Sequence, residues 1–292
     1  MKKALPYILI IIAEIFWGLS FIWTKVLINL EIPVFVFTFS RMFIAALVML
    51  VLCKSFGVLQ RIDRKDIPSF LLCALLHPFL YYICETFSLK ATGSPTLCAL
   101  FSSLVPVFVM IAALVFFKTK ITWKGFAGAV LSIVGIVLMN LGKGEVSSKY
   151  WWGFALLFGC LIASVGYNTI VQKNSSKYNA WTITTYQFVF GSIFLFPCIF
   201  IEPMGLSGMK LLLNAEVIVP LLCLAVLCSC AAFAFFVNGV GAIGMTKTAI
   251  FNTIIPVVSA LVAFSMGMES FTIAKLIGVV IIIASVELVQ RQ

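Results

Sequence analysis

The sequence predicts an all-α membrane protein of ten transmembrane helices arranged as two inverted five-helix repeats. Three observations predict it: an apolar composition, ten long apolar stretches, and a self-match at nearly constant spacing. Of 292 residues, 63% are apolar and 10% charged, and the mean hydropathy is +1.17. A soluble domain averages roughly 45–50% apolar and about 25% charged residues. A water-facing surface cannot be assembled from this chain, so the bilayer is its solvent. Each stretch approaches the roughly 20 helical residues that cross about 30 Å of hydrocarbon. Barrel strands would be about ten residues of alternating polarity, and these runs are long and continuous.

Polar and Gly/Pro punctuation places the spans near 5–25, 33–53, 67–89, 94–116, 122–141, 151–172, 180–200, 214–239, 245–267 and 272–290. The first follows Lys2 and Lys3 as a signal peptide would. Glu14 interrupts it and no small-residue cleavage site follows, so it reads as a retained span. With the N-terminus inside, twelve basic residues fall in cytoplasmic segments: Lys2, Lys3, Lys54, Arg61, Arg64, Lys65, Lys118, Lys120, Lys124, Lys173, Lys177 and Arg291. Six fall on the opposite side, namely Lys25, Lys90, Lys143, Lys149, Lys210 and Lys275. That asymmetry predicts cytoplasmic termini in a plasma or inner membrane. The net charge of +10 therefore reflects topology, and no nucleic-acid partner is expected.

Comparison of the chain with itself supplies the repeat. Pro106 falls on Pro256, Thr122 on Thr272, Gly128 on Gly278 and Gly135 on Ser285, while Gly18 and Lys25 fall on Gly166 and Lys173 at a spacing two residues shorter. The copies are expected at 1–144 and 145–292. Each holds five spans, an odd number, so the second enters the membrane from the opposite side. Inverted repeats place a substrate site near the bilayer midplane, and rocking about it exposes the site alternately to each side. Pro78, Pro106 and Pro256 are expected to bend their helices and open a cavity.

At these residues the chain resembles the drug/metabolite transporter superfamily, and within it the ten-helix EamA-type transporters. The resemblance spans essentially the whole chain. It rests on Trp17-Gly18-Leu19-Ser20-Phe21 followed by Lys25, on Arg41, on the stretch from Phe87 to Gly135, and on the stretch from Val237 to Gly278. Such families carry a Glu about thirteen residues after the mid-span proline; Glu269 holds that place and Thr119 replaces it in the first half. The resemblance implies a transporter and leaves the substrate open.

Independently of any family, charged groups at mid-depth are costly and point to function. Glu14, Arg41 and His77 lie there. Glu14, Trp17, Gly18, Phe21 and Lys25 share one helix face, with Ser20 beside them, and read as a cavity wall. Glu14 and Arg41 either neutralise each other across helices or contact substrate, and the two can coexist. Tyr81 and Glu85 follow His77 at four-residue intervals. His77 with Glu14 or Glu85 either relays protons from a gradient or sits neutral beside the Pro78 bend. In the second half amides stand in for charges: Asn168, Gln187 opposite Arg41, Asn238 and Asn252. They either orient a polar solute or tie helices together.

The nine cysteines fall almost wholly inside spans, as small packing residues. Cys228 and Cys230 point about 200° apart on a helix and suit no shared metal. No phosphate loop, dinucleotide fingerprint or metal-ligand spacing is present, so neither cofactor nor metal is expected. Small faces at Gly125, Gly128, Ser132 and Gly135, and at Ala274, Gly278 and Ser285, suit close helix packing, including a homodimer. The expected function is secondary transport of a small polar or amphipathic metabolite, such as an amino acid, coupled to protons or another ion. A passive channel, a membrane-embedded enzyme and an assembly factor are the alternatives.

Overall fold

The computed structural model describes residues 4–108, 122–140, 148–202, 204–244, 247–248, 250–270 and 272–290. All regular secondary structure among them is helical. Without water to satisfy backbone groups, apolar runs have no open alternative to helix in lipid. Among the described residues six helices are long and apolar enough to cross a membrane: α1 (Leu5–Asn29), α2 (Val34–Ser55), α3 (Arg64–Thr92), α6 (Ser148–Asn174), α7 (Ala180–Ile201) and α8 (Ala215–Ile243). Shorter α-helices stand between and after them: α4 (Pro95–Ser103), α5 (Trp123–Asn140), α9 (Ile254–Ser265) and α10 (Ile273–Gln290). They fall where the ten spans were expected. The second part of the expected fourth span, with Thr119, Lys118 and Lys120, lies outside the described residues, as do Lys2, Lys3, Lys143 and Arg291.

The packing obeys a two-fold relation. Helix α1 packs on α8 and α9, and α6 packs on α3 and α4; α2 packs on α7, α4 on α9 and α5 on α10. Exchanging each helix for the one five places along reproduces the same set of neighbours. Irregularities repeat as well. A π-helical segment interrupts α3 at Leu75–Leu80 and α8 at Cys223–Ala231, at the spacing that separates Gly18 from Gly166. The chain thus consists of two related five-helix copies that interlock, and their odd helix number inverts one against the other.

The prolines bend the chain differently from expectation. The break in the first copy is at Leu104, where α4 ends before helical backbone resumes at 105–108. In the second copy it is a 3₁₀ turn at Ile250–Thr253, just before α9. Pro106 and Pro256 each sit in the first turn after a break, where a missing N–H forfeits no helical bond. Pro78 alone stands inside a distorted stretch, following His77 at φ −143°, ψ 114° across a cis peptide bond.

Loops of one copy hold helix starts of the other. The Glu202 carboxylate accepts from Val34 N at 2.7 Å and Phe35 N at 2.9 Å, capping α2. On the opposite face, Gln60 Oε1 accepts from Asn179 N at 2.7 Å, and Gln60 N donates to Thr182 Oγ1 at 2.9 Å, at the start of α7. Lys177 reinforces that face, donating to Asp63 and Asp66 at 2.5 Å each. These bonds hold its ammonium protonated well above the usual lysine range. Glu269 Oε1 accepts from Ser94 Oγ at 3.0 Å and Thr96 N at 2.8 Å, and so ties the turn before α10 to the start of α4.

Gly18 shows how closely α1 and α9 approach. A Cβ there would lie 2.7 Å from Val258 Cβ and 2.9 Å from the Ile255 carbonyl oxygen, a backbone atom that cannot rotate aside. Gly18→Leu is therefore expected to destabilise the bundle by about 1–3 kcal/mol through overpacking. Thermal unfolding of the purified variant in detergent checks this; a melt matching the parent would contradict the packing.

Candidate functional site

Helices α3 and α8, each loosened by a π segment, face a common interior. At the α3 break the His77 ring turns inward. It stacks on Tyr81 at 4.2 Å and 16°, and meets Tyr82 at 5.0 Å, Tyr167 at 5.0 Å and Phe233 at 4.9 Å. Across from it Trp17 packs against Phe233 and Phe236, both at 4.9 Å. The indole N–H of Trp17 donates to the Cys228 carbonyl at 3.0 Å, within the π segment of α8, and the Cys228 thiol donates to the Phe16 carbonyl at 3.0 Å.

These rings enclose a narrow cavity of about 60 Å³, room for a few waters. Its polar lining comes from both copies. The first supplies Ser20, His77, Tyr81, Tyr82, Glu85 and Ser102; the second supplies Ser164, Tyr167, Asn168 and Asn252. Among the described residues Glu85 is the one carboxylate in the lining, and it is 4% exposed. The Tyr81 hydroxyl shares a 2.8 Å hydrogen bond with Ser102 Oγ. The amide oxygens of Asn168 and Asn252, and Nδ1 of His77, are buried without a protein partner.

Arg41 stands behind this lining. Its Nε donates to Ser229 Oγ at 2.9 Å and its Nη2 to Tyr82 Oη at 2.8 Å, with the guanidinium carbon 4.1 Å from the Tyr82 ring centroid. Ser229 in turn donates to the Leu224 carbonyl at 2.9 Å, across the π turn.

The expected residues thus divide. Trp17, Ser20, His77, Tyr81, Glu85, Asn168 and Asn252 converge on one cavity. Gln187 lies outside the lining, fully buried, where its Oε1 accepts from the Tyr167 hydroxyl at 3.1 Å. Asn238 is exposed on α8 and faces away. Of the two readings of Glu14 and Arg41, the mutual pair does not form: Arg41 is held by neutral oxygens, and both Glu14 carboxylate oxygens are buried without a partner. The reason is packing, since α1 lies on α8 and α9 while α2 lies on α7 and α8, so α8 intervenes. Among the described residues no three His, Cys, Asp or Glu side chains gather as metal ligands.

Sequence reasoning missed Tyr82, Tyr167, Ser102, Ser164 and Ser229. Tyr82 follows His77 by five residues, and helical counting by four passed over it. His77 has non-helical backbone, φ −143° and ψ 114°, so helical counting does not carry across it. Tyr167 adjoins Asn168 and could have been found by asking what else borders that amide.

Tyr82→Phe removes the oxygen that accepts from Arg41 Nη2 and leaves a buried guanidinium N–H unsatisfied, at a cost of about 1–3 kcal/mol. The variant is expected to melt several degrees below the parent in detergent, while Asn238→Ala matches it. Equal melting of all three proteins would show that the Arg41 contact is dispensable.

Comparison with known proteins agrees with this architecture. A solved crystal structure superposes with a TM-score of 0.70 at 16% identity, covering 99% of this chain and 96% of the other, which shows a shared fold. An uncharacterized transporter of Archaeoglobus fulgidus is 25% identical over 296 residues, covering all of both chains. The uncharacterized transporter YetK of Bacillus subtilis is 23% identical, covering 98% of this chain and 86% of its own. A probable terminal-alkyne amino-acid exporter of Streptantibioticus cattleyicolor is 21% identical, covering 87% and 82%. The model of the EamA-like transporter family matches residues 4–141 and again residues 151–290. With nearly the whole length matched in two copies, the chain belongs to the EamA-like transporter family, within the drug/metabolite transporter superfamily.

Proposed function

We propose that the protein is a secondary carrier for a small polar or amphipathic metabolite, such as an amino acid or a related compound, in a plasma or inner membrane with both termini cytoplasmic. The observation that carries this reading is the polar, aromatic-walled cavity to which both copies contribute. A buried carboxylate is costly inside a bilayer, and Glu85 is both buried and part of the cavity lining. The copies, bounded at about 1–144 and 145–292, would rock about this site and open it to each side in turn. The amino-acid exporter named among the relatives supports amino acids and their kin as the first solutes to test. Catalysis has no part in the reading.

Purified protein in liposomes is expected to show saturable flux and counterflow for at least one member of an amino-acid and amine panel. Flux without saturation, with steady electrical conductance, would indicate a channel instead.

Glu14 supplies a separate test of ion coupling. Both its oxygens lack partners, so Glu14→Gln removes no hydrogen bond and is expected to leave folded yield nearly unchanged. If Glu14 carries a proton, the variant's flux loses its dependence on pH between roughly 5 and 8. An unaltered pH profile would assign coupling elsewhere, and a collapse in yield would mark Glu14 as structural.

A further inference from the structure

We infer that the cavity is built to receive the primary ammonium group of its substrate, with Glu85 as counter-ion and the side chains of Asn168 and Asn252, which line the cavity, as hydrogen-bond partners. The inference rests on the carrier reading and names what its site recognises.

Three independent features converge on that chemistry. The first is the sign of the charge in direct reach. Glu85 lines the cavity, whereas the Arg41 guanidinium does not, being engaged by Tyr82 and Ser229. An anionic solute would meet a carboxylate with no exposed cation to offset it. A cation meets its counter-ion.

The second is the hydrogen-bonding character of the lining. Glu85, Asn168, Asn252 and His77 all stand in it, and each of these side chains can accept a hydrogen bond. A primary ammonium brings three N–H donors and no acceptor, which such a lining can meet.

The third is the wall. Trp17, Tyr81, Tyr82, Tyr167, Phe233 and Phe236 surround the polar groups. Aromatic faces attract an ammonium through their ring quadrupole when it lies within about 6 Å of the centroid. The same rings bury the apolar body of an amphipathic solute. The two cationic sources that share this chemistry are simple amines and amino acids, which carry the ammonium with or without a carboxylate.

Thermal unfolding of the detergent-purified protein, titrated with phenethylamine, L-phenylalanine and 3-phenylpropionate, tests the inference. The three share a carbon skeleton and differ in their charged groups. Phenethylamine, L-phenylalanine or both are expected to raise the melting temperature saturably, and which of them does so identifies the source. 3-Phenylpropionate is expected to produce no shift. Glu85→Gln should weaken the apparent affinity for the active compound at least tenfold, and Asn168→Leu should weaken it as well, which serves if Glu85→Gln does not fold. A shift with 3-phenylpropionate equal to the amine's, no shift with any compound, or variants that bind like the parent would overturn the assignment. Binding is read here without flux. Ammonium-selective binding with no counterflow would leave this site standing and remove the carrier reading, while saturable transport of compounds lacking an ammonium would do the reverse.

Discussion

A guanidinium inside a bundle surrounded by hydrocarbon must find hydrogen-bond partners, and the placement of Arg41 organises much of what lies around it. From α2 it reaches Tyr82 on α3 and Ser229 on α8. Those helices occupy equivalent positions in the two copies, and both contacts lie within or just beyond a π segment. The wider π turn at Ser229 leaves the hydroxyl donating to Leu224 O while it accepts from Arg41. One buried cation thus pins together the two most irregular helices of the fold. Unpartnered, it would cost several kcal/mol.

The two-fold relation governs the backbone more closely than the side chains. Breaks, π segments and helix neighbours recur in both copies. The chemistry does not. Arg41 corresponds to Gln187, which holds Tyr167 of α6, so a charged tether in one copy is a neutral one in the other. His77 and Glu85 come from α3, while Asn168 and Asn252 come from α6 and the turn before α9. A symmetric scaffold therefore encloses an asymmetric cavity, with charge on one wall and amides on the other. Under the proposed carrier reading, such an arrangement would hold a solute in one orientation while the scaffold rocked.

The fold was legible because the bilayer imposes a single strong constraint, and continuous apolar runs such as Val34–Ser55 and Ala215–Ile243 admit little else. The repeat was legible from Gly and Pro positions, since these residues are tolerated where backbones approach or break. Much of the cavity was also visible: polar groups such as His77, Glu85 and Asn168 inside apolar spans have little reason to face lipid. What escaped was partnership. Glu14 and Arg41 have opposite charges and similar depth, yet nothing in one dimension reveals that α8 lies between their helices. Asn238 has the composition of a site residue and the wrong angular position on α8. Tyr82 escaped because helical periodicity assumes an unbroken helix, and the non-helical backbone at His77 changes the count. Pro106 and Pro256 were recognised as a related pair, but the interruptions precede them, at Leu104 and at Ile250–Thr253.

The central claim is that a polar, water-reachable space lies within the membrane between the two copies. Thiol accessibility in membrane-embedded protein tests it most directly, with Cys introduced at Ser102 and Ser164 in the lining and at fully buried Thr184 as control. Residue-resolved mass spectrometry after exposure to a water-soluble methanethiosulfonate reads the result. Modification at 102 and 164 but not at 184 is the predicted outcome. If positions 102 and 164 stayed as unreactive as 184, the space would be dry packing and the account would fail.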